Sequence, residues 1–275
     1  MNIAQALNLR GQVDSYDRQE ATWLLEHILK LSPLHLKMNM MQVLTAEQEQ
    51  HYLDGIMRLA KNEPLAYIIG SQPFWTLDLK VTSDTLVPRP DTEIVIETVL
   101  ALDLPKVVNV VDLGTGTGAI ALALASEKLL WQITATDIYA PSLEVAKFNA
   151  EKHGLNKVNF ALGSWYQALS TQQRNEKFDL IVSNPPYIDP DDAHIAKLEY
   201  EPQRALVSEN KGLSDLEFII REAPQWLNAN GWIVLEHGYD QASIVQNLLK
   251  QQGFKNVRTV QDYGGNDRVT LGQFV

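Results

Sequence analysis

Residues 107–236 contain five short apolar runs separated mostly by helical segments, and this alternation constrains the fold more than any other feature. The apolar runs are Val107–Leu113, Gln132–Asp137, Val158–Leu162, Phe178–Ser183 and Trp232–Glu236. The helical segments include Ala119–Glu127, Ser142–His153 and Leu216–Leu227. Strands that alternate with helices form a parallel sheet covered by helices on both faces. The sequence therefore predicts an α/β fold for this part of the chain.

The end of the chain follows a different pattern. Val257–Val260 and Arg268–Phe274 are apolar runs joined by a turn-rich segment, residues 263–267, with no helix between them. Two such strands form a hairpin, which adds an antiparallel strand to the sheet. A six-stranded parallel dinucleotide-binding fold does not account for this hairpin. The pattern predicts a sheet of seven strands.

The first part of the chain lacks this alternation and is expected to be helical. Leu24, Leu25, Ile28 and Leu31 have helical spacing, and Thr45 with Gln48 forms a capping-box pattern. We expect residues 1–75 to form a small helical domain that recognises a macromolecular substrate, although a purely structural role is the simpler alternative. Residues 76–90 are expected to be a linker with a hairpin strand at Leu77–Val81, and residues 91–275 a catalytic domain. Asp91 is the predicted N-cap of a helix at Thr92–Leu100.

Composition narrows the classes of function. The chain has 275 residues, a net charge of −11, six histidines and no cysteine. The acidic balance argues against broad electrostatic binding of nucleic acid and favours a basic protein partner, although acidity also serves solubility alone. Without cysteine or a metal-ligand histidine spacing, we expect no metal. No segment approaches the ~18 apolar residues of a membrane span, and residues 1–5 lack a signal-peptide pattern, so we expect a cytoplasmic protein.

A glycine-rich loop follows the first strand of the alternating region. Gly114, Thr115, Gly116, Thr117 and Gly118 precede a helix, and glycines allow the backbone to turn sharply and approach a ligand. Asp137, at the end of the second strand, lies 23 positions after Gly114 and suits the two hydroxyls of a ribose. NAD, S-adenosylmethionine and a ligand-free structural turn are all compatible with this loop alone.

The loop Asn184-Pro185-Pro186-Tyr187 follows the strand Phe178–Ser183. The Asn184 side-chain oxygen and the Pro185 carbonyl can both accept hydrogen bonds, and neither proline has an N–H. Tyr187 adds a flat face to lie against a planar group. Such a loop suits the binding of a planar NH2 group that is to receive a transferred group. A hydride transfer has no evident use for this loop, so together with the terminal hairpin it favours S-adenosylmethionine over NAD.

Other candidate residues carry weaker signals. Trp165 follows the third strand and is expected to cover an adenine ring or else to be a core or surface aromatic. His237, at the end of a strand, is interpreted as a structural histidine, and neither it nor Glu236 is assigned a catalytic role. Arg89 and Glu93 either face the ligands or belong to a capped, charged helix start.

The chain resembles the PrmC/HemK family of protein-(glutamine-N5) methyltransferases, which modify class 1 peptide chain release factors. The resemblance covers nearly the whole length and combines the glycine loop and the Asn-Pro-Pro-Tyr loop with further motifs. These are Pro64–Gly70 with Phe74-Trp75, Val87–Glu93, Tyr200-Glu201-Pro202, Leu235–Gly238, and Asp262–Gly264 with Arg268-Val269. Ser164 departs from the acidic residue found before this tryptophan in many relatives.

The resemblance implies that the helical domain is followed in the sequence by a seven-stranded, Rossmann-like class I S-adenosylmethionine-dependent methyltransferase domain. It implies that residues 114–118, Asp137, Trp165 and Asn184 contact S-adenosylmethionine. It also implies that Asn184, Pro185, Pro186 and Tyr187 hold the glutamine of a release factor's Gly-Gly-Gln motif, with Asn184, Pro185 and Tyr187 as the catalytic set.

We further expect the protein to be a monomer and to contact neither nucleic acid nor a membrane. Two alternatives stay open at this point. The Asn-Pro-Pro-Tyr loop also occurs in enzymes that methylate exocyclic amines of DNA or RNA, and a catalytically silent cofactor-binding protein is a third possibility.

Overall fold

A computed structural model describes residues 1–169 and 177–275. The chain divides into two compact units, Met1–Ser71 and Gln72–Val275. The first unit is built from helices and the second from a sheet with helices on both faces.

The first unit contains five helices: α1 (Ile3–Leu7), α2 (Tyr16–Leu29), α3 (Pro33–Met38), α4 (Ala46–Leu59) and α5 (Leu65–Ile69). The capping box predicted for α4 is present, because Thr45 and Gln48 each accept from the other's backbone N–H. The helices pack around a core that includes Ile3, Leu25, Leu36 and Tyr52. The Tyr52 hydroxyl donates to the Ala6 carbonyl at 3.1 Å, which satisfies its polar end within the core.

A short two-stranded sheet follows α5. Strand β1 (Ser71–Phe74) pairs with β2 (Leu77–Lys80), so the predicted hairpin is present. The helical prediction for the first 75 residues holds through Ile69 and is wrong for Ser71–Phe74.

The second unit contains the predicted seven-stranded sheet. Its strands are β3 (Asn109–Leu113), β4 (Gln132–Asp137), β5 (Asn159–Leu162), β6 (Phe178–Ser183), β7 (Leu227–Glu236), β8 (Lys255–Gln261) and β9 (Asp267–Gln273). They lie in the order β5-β4-β3-β6-β7-β9-β8. The first five in this order are parallel, and β9 runs antiparallel to both β7 and β8. This confirms both the α/β prediction and the terminal hairpin.

Helices cover both faces of the sheet. They are α6 (Glu93–Leu100), α7 (Ala119–Glu127), α8 (Ala140–Lys152), α9 (Ser214–Trp226) and α10 (Ala242–Gln251). Alternate residues of β3 point to opposite faces: Val110 joins the core formed with α6 and α7, whereas Val111 joins the core formed with α9 and α10. Both faces are therefore apolar, as the continuous apolar strands predict.

Asp91 does not have the predicted capping role. Pro90–Thr92 forms a tight 3-10 turn, and α6 begins only at Glu93 without a side-chain cap. The Asp91 carboxylate instead lies 3.5 Å from the Arg268 guanidinium on β9. The prediction was wrong because Asp91 lies inside the 3-10 turn, so Thr92 rather than Asp91 is the residue before α6.

The strand order reverses at β3, which lies between β4 on one side and β6 on the other. The loops that leave the carboxyl ends of β3, β4 and β6 therefore diverge around a crevice, which is where open α/β sheets bind ligands.

Candidate active site

The glycine loop after β3 adopts backbone conformations that favour glycine. Gly114, Gly116 and Gly118 have φ values of 74°, 55° and 85°. A side chain on Gly118 would come within 2.9 Å of Leu122, whereas one on Gly116 would meet no protein atom within 4 Å. Gly118 thus packs the loop onto α7, while the space beside Gly116 is left for a ligand.

Asp112 stabilises the glycine loop through hydrogen bonds. It is buried at the end of β3, and its Oδ2 accepts from the Thr115 hydroxyl at 2.6 Å and from the Ala121 backbone N–H at 3.2 Å. Burial raises the pKa of Asp112 to about 7, against the lowering effect of these hydrogen bonds. The carboxyl thereby ties the loop to the first turn of α7.

Asp137 lies at the end of β4 beside the same loop. Its Oδ2 accepts from the Gly116 N–H at 2.9 Å and its Oδ1 from the Tyr139 N–H at 2.9 Å. Burial raises the pKa of this carboxyl, and the backbone donors and Arg204 oppose that shift. Asp137 is half-buried, so its oxygens remain accessible to hydroxyl donors from a ligand.

The Trp165 ring packs against the glycine loop at Gly114. A Cβ placed on Gly114 would be 3.0 Å from the Trp165 ring, so glycine is what permits this close approach. Trp165 itself has a φ of 47°, an uncommon conformation for a bulky residue. The indole is half-buried and forms one wall of the crevice, as does Ser164.

These residues line one cavity of about 360 Å³ at the crevice. It contains Gly114, Thr115, Gly116, Thr117, Asp137, Trp165, Asn184 and Pro186 among the predicted site residues. Gly118, Pro185 and Tyr187 are not part of its lining. A cavity of this size, with the Asp137 carboxylate at the end of β4, an aromatic wall and an open glycine backbone, fits an adenosine-containing cofactor.

The Asn184–Tyr187 loop continues from β6. Ser183, the last strand residue, donates its hydroxyl to the Leu113 carbonyl at 2.6 Å, which ties the ends of β6 and β3 together. The Asn184 side-chain nitrogen donates to the Thr92 hydroxyl oxygen at 3.1 Å. In the described part of the chain, neither Asn184 Oδ1 nor the Pro185 carbonyl accepts a hydrogen bond. Both predicted acceptors are therefore available to a ligand.

Tyr187 forms the other end of this loop. Its hydroxyl donates to Glu236 Oε1 at 3.1 Å, and its carbonyl accepts from the Gln241 side chain at 3.0 Å. Burial raises the pKa of Glu236 to about 7, while the hydroxyls of Thr92 and Tyr187 act in the opposite direction. Burial likewise raises the pKa of Tyr187, so the phenol stays protonated.

A second cavity of about 110 Å³ lies against the other side of the loop. It is lined by Leu86, Arg89, Asn184, Pro185, Tyr187, Ile188, Leu198, Ala205 and Leu206. Four residues line both cavities, namely Leu86, Arg89, Asn184 and Ala205, so Asn184 lies where the two meet. The geometry suits two ligands that meet at Asn184.

Arg89 and Glu93 have different surroundings. Arg89 borders both cavities and forms an ion pair with the buried carboxylate of Glu201. Glu93 accepts from the Trp75 backbone N–H at 2.7 Å and lines neither cavity. Arg89 is thus the member of this pair that faces a ligand space.

His237 is structural, as predicted. The ring is buried, with Nδ1 2.8 Å from the Gly238 carbonyl oxygen and Nε2 2.7 Å from the Thr270 hydroxyl. Burial lowers its pKa, so it is neutral near pH 7.

Sequence patterns missed several residues that line the first cavity. Arg204 lies with its guanidinium carbon 3.6 Å from the centroid of the Tyr139 ring and close enough to Asp137 to lower its pKa. Thr92 reaches the cavity through its contact with Asn184. Arg204 closely follows the motif Tyr200-Glu201-Pro202, and Thr92 lies within the motif Val87–Glu93, so these motifs are the signal that would have found them.

No helix in residues 1–169 and 177–275 is long and apolar enough to cross a membrane. Within the same ranges, no group of three or more His, Asp or Glu side chains is arranged to hold a metal ion.

Two domain families match the sequence. A family described as a methyltransferase domain matches residues 104–267, and the PrmC N-terminal domain matches residues 3–70. The first match spans the seven-stranded sheet as far as the start of β9, and the second spans the helical unit.

Curated relatives match over nearly the whole chain. A release factor glutamine methyltransferase from Aliivibrio fischeri is 42% identical over 98% of this chain and 94% of its own length. A protein of the same name from Salmonella typhimurium is 41% identical, over 99% of this chain and 97% of its own.

Solved structures show the same fold at lower identity. A methyltransferase from Pyrococcus furiosus aligns with a TM-score of 0.55 and 20% identity, over 79% of this chain and 96% of its own. A 16S rRNA N2 G1207 methyltransferase from Thermus thermophilus, in complex with AdoMet and guanosine, aligns with a TM-score of 0.54 and 18% identity, over 74% of this chain and 50% of its own.

Proposed function

This chain belongs to the family of release factor glutamine methyltransferases, and from this premise we propose that it methylates a glutamine side chain in class 1 peptide chain release factors. The methyl donor is S-adenosyl-L-methionine, and the acceptor is the N5 amide nitrogen of the glutamine in the Gly-Gly-Gln motif. The observation that carries the proposal is the position of Asn184 where the two cavities meet, with Oδ1 and the neighbouring Pro185 carbonyl both open to a ligand.

The larger cavity is the proposed cofactor site. Residues 114–117 would bring backbone close to the ligand, and Asp137 would accept hydrogen bonds from the ribose hydroxyls. Trp165 would hold the adenine, and Asn184 lines the same cavity beside the acceptor loop. When bound, S-adenosylmethionine supplies an electrophilic methyl group. Gly118 acts indirectly in this proposal, since it packs the loop onto α7 rather than lining the cavity.

The acceptor is held by the Asn184–Tyr187 loop. An amide nitrogen is a weak nucleophile because its lone pair is delocalised into the carbonyl. Asn184 Oδ1 and the Pro185 carbonyl each accept one NH2 hydrogen, which orients the nitrogen and stabilises the positive charge that develops on it. Correct orientation of the reacting groups alone can lower the activation free energy by roughly 7–11 kcal/mol in favourable cases.

The two prolines and Tyr187 keep the loop in place. Pro185 and Pro186 have fixed φ angles and no N–H, so the loop offers the amide no competing donor. The Tyr187 hydroxyl is engaged by Glu236, which leaves its ring as a wall of the smaller cavity.

No strong general base is needed. A methylated amide nitrogen that carries an extra proton is strongly acidic and can release that proton to water. This agrees with the neutral, hydrogen-bonded state of His237, which lines neither cavity.

The partner in this proposal is a protein. The acidic charge of −11 favours a basic protein surface over a nucleic-acid backbone. The helical unit Met1–Ser71 is proposed to contribute to recognition of the release factor. We propose a monomer, because residues of one chain line both cavities.

Transfer of labelled methyl from S-adenosylmethionine to a purified class 1 release factor tests this function. We expect label on the factor, none on a factor whose Gly-Gly-Gln glutamine is replaced by alanine, and none on duplex or structured RNA. Label on RNA but not on the factor would indicate instead that the protein is a nucleic-acid amine methyltransferase. Absence of label on either substrate would support a silent cofactor-binding protein.

A further inference from the structure

We propose that Gln241 and Gly212 hold the Tyr187 carbonyl and thereby position the loop that receives the acceptor amide. This inference rests on the proposed function, because it concerns how the Asn184–Tyr187 loop is held for the reaction. Gln241 directly precedes α10, and Gly212 lies two positions before the first residue of α9. Neither residue lines either of the two cavities, and neither belongs to the motifs named above. Both are therefore positioning residues rather than ligand contacts.

The Gln241 side chain is fixed by three backbone groups. Its Nε2 donates to the Tyr187 carbonyl at 3.0 Å and to the Lys211 carbonyl at 3.3 Å. Its Oε1 accepts from the Gly238 backbone N–H at 2.9 Å. An amide rotated by half a turn would place its oxygen against two carbonyls and its hydrogens against an N–H, so only the observed orientation is compatible with these partners. Gln241 is 7% exposed, so water has little access to replace these bonds.

Gly212 approaches the same carbonyl from a second segment. A Cβ placed on Gly212 would lie 2.1 Å from the Tyr187 oxygen and 2.9 Å from Gln241 Nε2. Because no side chain fits in this space, only glycine permits the contact. Its φ of 78° likewise favours glycine. The Tyr187 carbonyl is thus held between the Gln241 amide and the Gly212 backbone.

The backbone that leads to Gly212 is strained. Asn210 and Lys211 have φ values of 55° and 58°, so three consecutive residues lie in the left-handed region. Such a run is costly for residues that have a side chain, and it persists where surrounding contacts hold it. Two backbone hydrogen bonds do so here: the Gly212 N–H donates to the Ser208 carbonyl at 3.0 Å, and the Ser208 N–H donates to the Ile188 carbonyl at 3.0 Å. This segment is therefore attached directly beside the end of the acceptor loop.

The prolines of the loop carry this restraint to the side that faces the substrate. Pro186 has a fixed φ, so few backbone torsions separate the Tyr187 carbonyl from the Pro185 carbonyl, the proposed second acceptor for the NH2 group. At the other end of the loop, Asn184 Nδ2 donates to the Thr92 hydroxyl at 3.1 Å. Release of the Tyr187 carbonyl would allow the Pro185 carbonyl to rotate while Asn184 stays held. We therefore expect an effect on methyl transfer and not on cofactor binding.

Gln241→Met and Gln246→Met form a matched pair for the test. Methionine has about the length and shape of glutamine without its amide. Gln246 lies on α10, donates to the Thr259 hydroxyl at 2.8 Å and lines neither cavity. We expect kcat for release-factor methylation to fall about tenfold in Gln241→Met and to stay within about twofold in Gln246→Met. The Kd for S-adenosylhomocysteine should change less than about twofold in both. Equal kcat in Gln241→Met and the unaltered protein, or equal losses in the two variants, would overturn the inference.

Gly212→Ala and Gly253→Ala form a second pair. Gly253 has a φ of 88°, and an added Cβ would meet nothing within 4 Å, so its replacement adds backbone strain without a collision. In Gly212→Ala the new methyl group must displace the Tyr187 carbonyl. We expect kcat to be at least about fivefold lower in Gly212→Ala and to change less than about twofold in Gly253→Ala. Unchanged kcat in Gly212→Ala would contradict the positioning role.

A measurement that does not depend on activity separates this inference from the proposed function. Protein labelled with ¹³C at the tyrosine carbonyl and ¹⁵N at isoleucine gives selected signals only from Tyr-Ile peptide bonds, and the chain contains two, Tyr67-Ile68 and Tyr187-Ile188. The second is assigned as the signal absent from Ile188→Val. The Ile188 nitrogen shares a peptide bond with the Tyr187 carbonyl, so its chemical shift reports the hydrogen bond that this carbonyl accepts.

The signal of Tyr187-Ile188 should move in Gln241→Met and in Gly212→Ala but not in Gln246→Met. The signal of Tyr67-Ile68, in α5 of the helical unit, serves as the reference. An unmoved Tyr187-Ile188 signal in Gln241→Met contradicts the inference even if the unaltered protein methylates nothing. A moved signal, together with an unaltered protein that methylates no release factor, contradicts only the proposed function.

Discussion

Replacing Gly116 with alanine should weaken cofactor binding much more than it weakens the fold. Gly116 has a φ of 55°, and an added Cβ would meet no protein atom within 4 Å. The backbone strain of alanine in this region is about 1–2 kcal/mol. At about 2–4 °C of melting temperature per kcal/mol for a unit of this size, the expected loss is roughly 2–8 °C.

The loss in binding has a different origin. Gly116 lines the larger cavity, so the new methyl group would occupy ligand space rather than contact protein. Overpacking a fitted site by one methyl group costs about 1–3 kcal/mol, which corresponds to roughly 5- to 150-fold in Kd. Calorimetric titration with S-adenosylhomocysteine measures this change directly.

Gly154 provides a matched control for the strain. Its φ is 69°, an added Cβ would again meet nothing within 4 Å, and it lies just after α8 outside the cavity lining. Gly154→Ala should therefore lower the melting temperature to a similar extent and leave the Kd unchanged. If Gly116→Ala bound the ligand as tightly as the unaltered protein, or if Gly154→Ala weakened binding equally, the assignment of the glycine loop to the cofactor would be refuted.

Three further predictions concern single residues of the site. Asn184→Ala should reduce kcat at least about 100-fold, because the acceptor amide loses the oxygen that orients its NH2 group. Ligand binding should fall much less. Single-turnover kinetics measure the first effect and ligand titration the second. Trp165→Ala should raise the Kd for S-adenosylhomocysteine about tenfold and Trp165→Phe much less, because an aromatic wall is worth about 1–3 kcal/mol per stacked base; equal affinities would contradict its placement over adenine. Asp112 has its pKa raised from 3.8 to about 7, so the folded state holds an extra proton between those values and the free energy of unfolding falls as pH rises through them. Denaturation of the unaltered protein and of Asp112→Asn between about pH 4 and about pH 8 should show the stability advantage of the unaltered protein shrinking as pH rises, and a constant difference would contradict the shifted pKa.

The parts of this protein that follow from local patterns were predictable from sequence. The strands appear within a few residues of their predicted bounds because both sheet faces are buried, and the terminal hairpin follows from the absence of a helix before β9. The glycine loop, Asp137 and Asn184 meet at one crevice because parallel strands bring their carboxyl ends together.

The parts that depend on contacts between distant residues were not predictable. Asp91 is a residue type that favours the N-cap position, but in the structure its carboxylate lies beside Arg268. Thr92 and Glu236 lie in the motifs Val87–Glu93 and Leu235–Gly238, but their hydrogen bonds to Asn184 and Tyr187 form only when the fold brings these distant segments together. A carboxylate at the end of a strand gives no sign in the sequence of which hydroxyls it will meet.

The central claim is that the Asn184–Tyr187 loop presents a release-factor glutamine for methylation. Mass spectrometry of the Gly-Gly-Gln peptide from a class 1 release factor, after incubation with this protein and S-adenosylmethionine, tests it most directly. We predict one added methyl group located on the glutamine side chain, and no such addition with Asn184→Ala. An unmodified glutamine in a competent factor, or a methyl group on another residue, would contradict the claim.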